Sequence, residues 1–163
     1  MWVNYPKFEM TLTKNTFIGE YSYSLDSKGR INIPSKFRQA MSEDNLETFV
    51  ITRGLDPCIW VYPLIQWQQI EKDLKSLSSL SKIHRAFVRN TARYATPSTY
   101  DKQGRIKLTP SLVEYSFLKK EILIIGMVNK IEIWDPIQLN NVDTNISKIN
   151  PEEYDALSDK IVL

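Results

Sequence analysis

Two short segments of this chain combine an aspartate, a glycine and an arginine at the same spacing. Residues 26–30 are Asp-Ser-Lys-Gly-Arg and residues 101–105 are Asp-Lys-Gln-Gly-Arg. An arginine offers a flat fork of N–H donors that fits a phosphate or the O6/N7 edge of guanine, and a lysine offers a point charge for phosphate. Two equivalent aspartates could instead supply the paired carboxylates of an aspartic protease. The repeated segment therefore suggests either nucleic-acid binding or acid catalysis.

The basic residues around these segments are the candidate DNA contacts, and the acids and glycines are the candidate supports of the turns. An aspartate can accept hydrogen bonds from turn amides, and a glycine suits the left-handed position of a tight turn. The predicted DNA-binding residues are Arg30, Lys28, Arg38, Arg105 and Lys102, and the predicted turn supports are Asp26, Gly29, Asp101 and Gly104.

The catalytic alternative fits the sequence poorly. A protease aspartate sits in Asp-Thr/Ser-Gly, but here the acids precede Ser-Lys and Lys-Gln, whose longer side chains crowd the carboxylate. Pairing of each aspartate with the arginine four positions later is the simpler interpretation. The single histidine, His84, and the single cysteine, Cys58, complete no nucleophilic or zinc motif. We therefore expect no catalytic residues, no metal and no cofactor.

The elements around the two segments also repeat. The segments are related by an offset of 75 in the numbering. Downstream, residues 49–54 followed by 59–62 match residues 123–126 followed by 131–134, at an offset of 72. In each half, an alternating strand leads into the turn and a return strand leaves it, with Ile31 and Ile33 facing one way and Arg30 and Asn32 the other. Short helices over 34–41 and 109–116 and a second strand pair are predicted to follow.

The remaining chain is predicted to be helical or extended. Apolar residues at helical spacing predict a helix over 64–77, and a second helix over about 79–94 carries a basic stripe. The stripe consists of Lys82, Arg85, Arg89 and Arg93. Residues 137–163 are acidic and have few periodic apolar positions, so we expect a loosely ordered tail.

These patterns predict a mostly β, α+β fold of two tandem repeats packed about a pseudo-twofold axis, with helices between and after the repeats. The predicted parts are an N-terminal extension (1–16), a first repeat (17–65), a helical connector (66–93), a second repeat (94–137) and an acidic C-terminal tail (138–163). The longest apolar run, residues 122–128, is too short to span a membrane, and one cysteine among 163 residues favours a reducing compartment. A net charge of +2 does not by itself indicate a nucleic-acid partner.

Residues 17–38, which contain the first motif, closely resemble the start of the MraZ family. Residues 101–106, 118–121 and 130–135 resemble that family's second repeat, and Cys58-Ile-Trp-Val-Tyr-Pro63 with Trp67 resembles part of its first. The similarity covers about residues 17–136. Residues 93–100 depart from the family pattern, which usually has a Gly-Ala pair and an acidic residue before the second motif.

The resemblance implies a double AbrB-like swapped-hairpin barrel that assembles into a ring-shaped homo-oligomer. It further implies a transcriptional regulator, cytoplasmic and nucleoid-associated, that binds repeated elements of double-stranded promoter DNA upstream of the bacterial division and cell-wall gene cluster. Arg30 and Arg105 would then contact DNA. The alternatives left open are an oligomeric scaffold that binds a protein partner, a nucleoid protein that binds DNA non-specifically, and the less supported case of RNA binding.

Overall fold

The computed structural model describes residues 12–161 of the chain. Its strands occur as two sets of four, one set in each half of the sequence. In chain order they are β1 (Phe17–Ser24), β2 (Arg30–Asn32), β3 (Thr48–Arg53), β4 (Ile59–Pro63), β5 (Thr96–Thr99), β6 (Arg105–Lys107), β7 (Glu121–Val128) and β8 (Ile131–Trp134). The predicted duplication of strand, turn, strand, short helix and strand pair is confirmed.

Helices follow the return strands, join the two halves and form the end of the described chain. They are α1 (Ser35–Ala40), α2 (Leu64–Lys75), α3 (Lys82–Ala92), α4 (Pro110–Tyr115), α5 (Pro136–Ile149) and α6 (Pro151–Ile161), with a short 3-10 helix at Glu43–Asn45. Thr109 caps α4 by accepting a hydrogen bond from the amide of Leu112, and Pro110 takes the first helical position, as predicted.

Each half completes its sheet with a strand from the other half. The six-stranded sheet has the order β1-β7-β8-β4-β3-β5, in which every neighbouring pair is antiparallel. β1 of the first half pairs with β7, β5 of the second half pairs with β3, and β4 meets β8 at the centre. If each strand is replaced by its equivalent from the other half, the same order results, read from the opposite edge. This symmetry confirms the swapped arrangement.

A second sheet consists of only two strands, the return strands β2 and β6. Within residues 12–161 no hydrogen-bonded ladder joins the edge strands β1 and β5, so the six-stranded sheet is open. We call the β2–β6 pair the ribbon.

The register corrects one detail of the repeat. Thr99 of β5 lies opposite Thr48, and Ser24 of β1 lies opposite Glu121. Because Ser24 and Thr99 are equivalent, Thr48 corresponds to Glu121, and the predicted offset of 72 is wrong by one position for this strand. The first residues of β4 and β8 do keep the predicted offset, because Ile131 follows Glu121 by 10 positions whereas Ile59 follows Thr48 by 11.

One apolar core lies between the six-stranded sheet, the ribbon and the short helices. It draws on both halves, since Ile31 and Ile106 pair across the ribbon while Phe37 and Leu112 come from α1 and α4. Its fully buried members include Phe17, Ile33, Phe49, Ile51, Leu108, Ile122, Ile124, Ile131 and Ile133. Neither half could bury these side chains alone.

The prediction of a loosely ordered tail is wrong, because residues 136–161 form α5 and α6. Asp135 caps α5 by accepting hydrogen bonds from the amides of Ile137 and Gln138, and Pro136 opens the helix. Asn150 likewise accepts from the amide of Glu153 at the start of α6, which opens at Pro151. The local start signals were the same as for α4, but the scarcity of periodic apolar residues obscured them.

The predicted N-terminal extension is only partly described. Residues 1–11 lie outside the described residues, whereas Asn15 contacts the first repeat: its side-chain carbonyl accepts hydrogen bonds from the amide of Ser42 and from the buried side chain of Asn45. None of the helices within residues 12–161 is both long enough and apolar enough to cross a membrane.

Candidate nucleic-acid interface

The first predicted turn, Asp26–Arg30, is organised by its aspartate, and we call it the first tip. One carboxylate oxygen of Asp26 accepts from the amides of Lys28 and Arg30 at 2.9 and 2.8 Å, and the other accepts from Nε of Arg30 at 2.8 Å. Gly29 has a φ of +75°, in the left-handed region that favours glycine. The carboxylate thus shapes the turn and orients the guanidinium.

The second tip, Asp101–Arg105, repeats this geometry. Asp101 accepts from the amides of Gln103 and Arg105 at 2.9 and 3.0 Å and from Nε of Arg105 at 2.9 Å. Gly104 has a φ of +77°. In both turns the aspartate accepts from two turn amides and from the arginine four positions later, and the glycine takes the left-handed position.

Both carboxyls are held in the charged form by these bonds. The backbone hydrogen bonds from Arg30 and Arg105 are the main cause that lowers the pKa of Asp26 and Asp101 below 3.8, and the arginine side chains add to it. A protease dyad would need one acid with a raised pKa. The geometry and the direction of the pKa shifts both argue against that chemistry.

The two arginines point from the same face of the ribbon. Ile31 and Ile106 of the ribbon are buried, so the alternate residues face outward. Arg30 lies opposite Lys107, and Asn32 lies opposite Arg105. The outward face therefore carries three cationic side chains and one amide. The predicted site set did not include Asn32 and Lys107, although strand alternation could have indicated both.

Hydrogen bonds across the repeats join the tips to the ribbon. The carbonyl of Gly29 accepts from the amide of Leu108 at 2.8 Å, and the carbonyl of Gly104 accepts from the amide of Ile33 at 2.9 Å. Each tip is thus attached to the chain that leaves the return strand of the other half. The two tips and the ribbon form one continuous surface, to which Lys28 and Lys102 add exposed side chains.

Arg38, the fifth predicted contact, is placed differently. It projects from α1 of the first half and donates from Nε to the carbonyl of Ile33 at 3.1 Å. Its guanidinium lies against Gly104 of the second tip and 5.9 Å from the ring centre of Tyr100. The structure therefore brings Arg38 to the second tip and not to the first, which is closer to it in sequence.

Part of the basic stripe on α3 is engaged in local contacts. Arg85 donates to the carbonyls of Ser79 and Leu80, and Arg93 lies over the ring of Tyr94 at 4.9 Å. His84 accepts a hydrogen bond from the amide of Ser78. The stripe is separate from the ribbon in the sequence, and two of its four side chains contact neighbouring parts of the chain.

Comparison with known proteins identifies the family to which this arrangement of repeats belongs. The family model described as "MraZ protein, putative antitoxin-like" matches residues 16–90 and again 92–158, one match for each half. The chain belongs to the MraZ family. The twofold match agrees with the two swapped halves of the structure.

Curated members of the MraZ family resemble this chain over most of their length. A protein named transcriptional regulator MraZ from Halothermothrix orenii is 50% identical over 118 residues, which is 72% of this chain and 80% of that protein. A protein of the same name from Alkaliphilus metalliredigens is 39% identical over 147 residues, 89% of this chain and 96% of that protein. One from Clostridium acetobutylicum is 46% identical over 118 residues, with 72% and 80% covered. The MraZ family is thus a family of transcriptional regulators by the names of its members.

Proposed function

We propose that this protein is a transcriptional regulator that binds double-stranded promoter DNA sequence-specifically through the two tips and the outward face of the ribbon. The observation that carries this proposal is the repeated tip, in which an aspartate holds an arginine at each end of one antiparallel ribbon. Names of the relatives support the regulatory role.

A two-stranded antiparallel ribbon fits the major groove of B-DNA, where base edges are exposed. Asp26 and Asp101 engage the Nε side of their arginines, which have further N–H donors to offer a guanine. Lys28, Lys102 and Lys107 are exposed and suit phosphate contacts. Arg30 and Arg105 would therefore supply base recognition, and the lysines would supply affinity.

The proposed target is a set of repeated elements upstream of the division and cell-wall gene cluster, bound at the nucleoid in the cytoplasm by a ring of subunits. One ribbon presents few contacts, so adjacent subunits on adjacent repeats would raise the effective concentration of each binding site. Exposed apolar side chains support self-association: Leu80 before α3 and Ile83 and Phe87 on it are 91%, 74% and 58% exposed.

The test is a titration of the protein into DNA from upstream of its own gene and into scrambled DNA of equal length, at about 150 mM salt, where non-specific binding is weak. We expect preference for the upstream DNA. Arg30→Ala and Arg105→Ala should each weaken that binding by about 1–3 kcal/mol for every guanine that the arginine recognises, and more when several subunits bind together.

Lys148→Ala on α5 is the matched control, because it removes an exposed positive charge far along the chain from the ribbon. Light scattering would show that the variants keep the subunit number of the parent. Undiminished binding by the Arg30 variant would refute the role of the tips. Equal affinity for upstream and scrambled DNA would favour a non-specific nucleoid protein or a scaffold.

The same exposed apolar residues give the scaffold alternative its support. Replacing Lys82, Arg85, Arg89 and Arg93 with Glu would distinguish a helix α3 that contacts only protein from one that contacts DNA. If α3 contacts only protein, operator affinity should stay nearly constant. If α3 contacts phosphate, both the affinity and its salt dependence should fall. Competition by RNA against the upstream DNA tests the remaining alternative, which is RNA binding.

A further inference from the structure

We propose that Arg38 is a positioning residue for the second tip rather than a DNA contact. This inference rests on the proposed function, because it concerns how one of the two DNA-binding tips is held. It also makes the two tips unequal, although their own hydrogen bonds are the same.

Three contacts place Arg38 under the second tip. Its Nε donates to the carbonyl of Ile33, and the amide of that same residue donates to the carbonyl of Gly104. A Cβ built on Gly104 would lie only 2.5 Å from both Nε and Cζ of Arg38, so the guanidinium fills the space against the turn glycine. The ring of Tyr100, the residue before the tip, lies beside the same guanidinium.

The first tip lacks this support. The residues that correspond to Tyr100 and Arg38 in the other repeat are Leu25 and Val113. Neither can donate a hydrogen bond from its side chain, and both line an open cleft of about 660 Å³ beside the first tip. A Cβ on Gly29 would meet only the carbonyl oxygen of Leu108 within 4 Å, at 3.2 Å. The position that Arg38 fills at the second tip is therefore open at the first.

The physical consequence is a difference in rigidity. An arginine that is hydrogen-bonded by Nε and packed on a backbone turn restricts the turn before DNA arrives, which reduces the ordering cost of binding. The contact of Arg38 with Gly104 restricts the turn that carries Arg105, whereas the turn that carries Arg30 has no such contact among the described residues. Loss of Arg38 should therefore act on the second tip and leave the first unchanged.

The first experiment needs no DNA. Hydrogen–deuterium exchange of the amides of Gly104 and Arg105 should become faster in Arg38→Ala, while exchange at Gly29 and Arg30 stays as in the parent. Unchanged exchange at the second tip, or equal acceleration at both tips, would overturn the positioning role. This result is independent of whether the protein binds DNA.

The second experiment separates positioning from direct contact. Arg38→Lys keeps the charge but loses the Nε donor and the flat group against Gly104, so it should weaken operator binding about as much as Arg38→Ala, on the order of tenfold. The slope of log affinity against log salt should stay constant in both. A lysine variant with parental affinity, or a slope reduced by about one in the alanine variant, would make Arg38 a phosphate contact.

Double variants identify the tip through which Arg38 acts. Arg38→Ala should add little to Arg105→Ala, because the arginine that Arg38 helps to position is then already absent, and should combine additively with Arg30→Ala. Additive effects with both arginines would contradict the proposal. If none of the variants changes DNA binding while the exchange result holds, the proposed DNA interface fails and the positioning of the tip stands.

Discussion

At the scale of single residues, each tip depends on one aspartate that performs two tasks. Asp26 and Asp101 satisfy two turn amides with one oxygen and hold an arginine with the other. The guanidinium is thereby oriented before any ligand is present, and this reduces the entropy lost when it binds. In the proposed interface the aspartate would therefore orient the arginine, although its own charge would repel DNA.

The pH dependence of the tips follows from the lowered pKa of Asp26 and Asp101. A carboxyl whose pKa is lower in the folded state stabilises that state above its unfolded pKa of 3.8 and loses this effect as the pH falls through the folded pKa. We expect the tips to be unchanged between about pH 5 and 8, where both acids are charged. Carboxyl NMR should give both acids a titration midpoint below 3.8.

Asp26→Asn provides the control for this prediction. The asparagine can still accept from the turn amides, but its amide nitrogen cannot accept from Nε of Arg30. In this variant the titration of Asp26 should be absent, and the titration midpoint of Asp101 should stay below 3.8. A midpoint for either acid at or above 3.8 would show that the bonds to the turn and to arginine do not persist in solution.

At the scale of elements, the ribbon sets the spacing of the charged groups. Strand alternation buries Ile31 and Ile106 and turns Arg30, Arg105 and Lys107 to the outside. The pairing of β2 with β6 brings side chains from distant parts of the sequence onto one face. A single tip on one hairpin would present only half of this surface.

Lys107 gives a prediction at this scale. It lies opposite Arg30 on the ribbon and is exposed, so we expect a phosphate contact and not a base contact. Lys107→Ala should weaken binding to upstream DNA and to scrambled DNA by a similar factor. It should also reduce the slope of log affinity against log salt by about one per subunit bound. Binding isotherms at several salt concentrations would measure this, with Lys148→Ala as the control. Loss of affinity for upstream DNA alone would instead make Lys107 a base contact.

At the scale of the whole molecule, the two halves are one folding unit. β1 and β5 each complete the sheet of the other half, and β4 and β8 join the halves at the centre. Next to that central pairing, the buried carboxylate of Glu132 accepts from Nε1 of Trp60 at 2.8 Å and Nε1 of Trp134 at 2.9 Å. It thus connects a tryptophan from each half. The thiol of Cys58 packs 3.6 Å from it, and burial raises the pKa of that thiol.

Removal of this carboxylate should destabilise the whole protein. Glu132→Leu would leave the buried indole N–H of Trp134 without its acceptor, at a cost of about 1–3 kcal/mol, and the half-buried indole N–H of Trp60 without its acceptor at a smaller cost. We expect the free energy of unfolding to fall by about 2–4 kcal/mol in urea, measured at one protein concentration because assembly would add to stability. Glu132→Gln keeps one acceptor oxygen, so its free energy of unfolding should fall by less than that of the leucine variant. If the leucine variant is as stable as the parent, the two indole bonds contribute nothing.

Much of the site was predictable because its bonds are local. The motif from Asp26 to Arg30 joins atoms at most four positions apart, so residue types and spacing sufficed to predict the turn and the aspartate–arginine pair. The duplicate at Asp101 and the resemblance to the MraZ family then indicated the swapped fold. Helices after the second repeat were part of the predicted fold, but the order of the tail was underestimated, although Asp135 and Asn150 gave local signals for α5 and α6.

The remaining features depend on contacts between residues far apart in the chain. Two features require the second half to be placed against the first: the pairing of β2 with β6, which joins their outward residues into one face, and the packing of Arg38 against Gly104. The sequence alone determined the repeat, the two turns and their charges, because these follow from local spacing. Tertiary structure alone determined the common surface and the inequality of its two tips, because packing between the two halves selects which side chain fills which space.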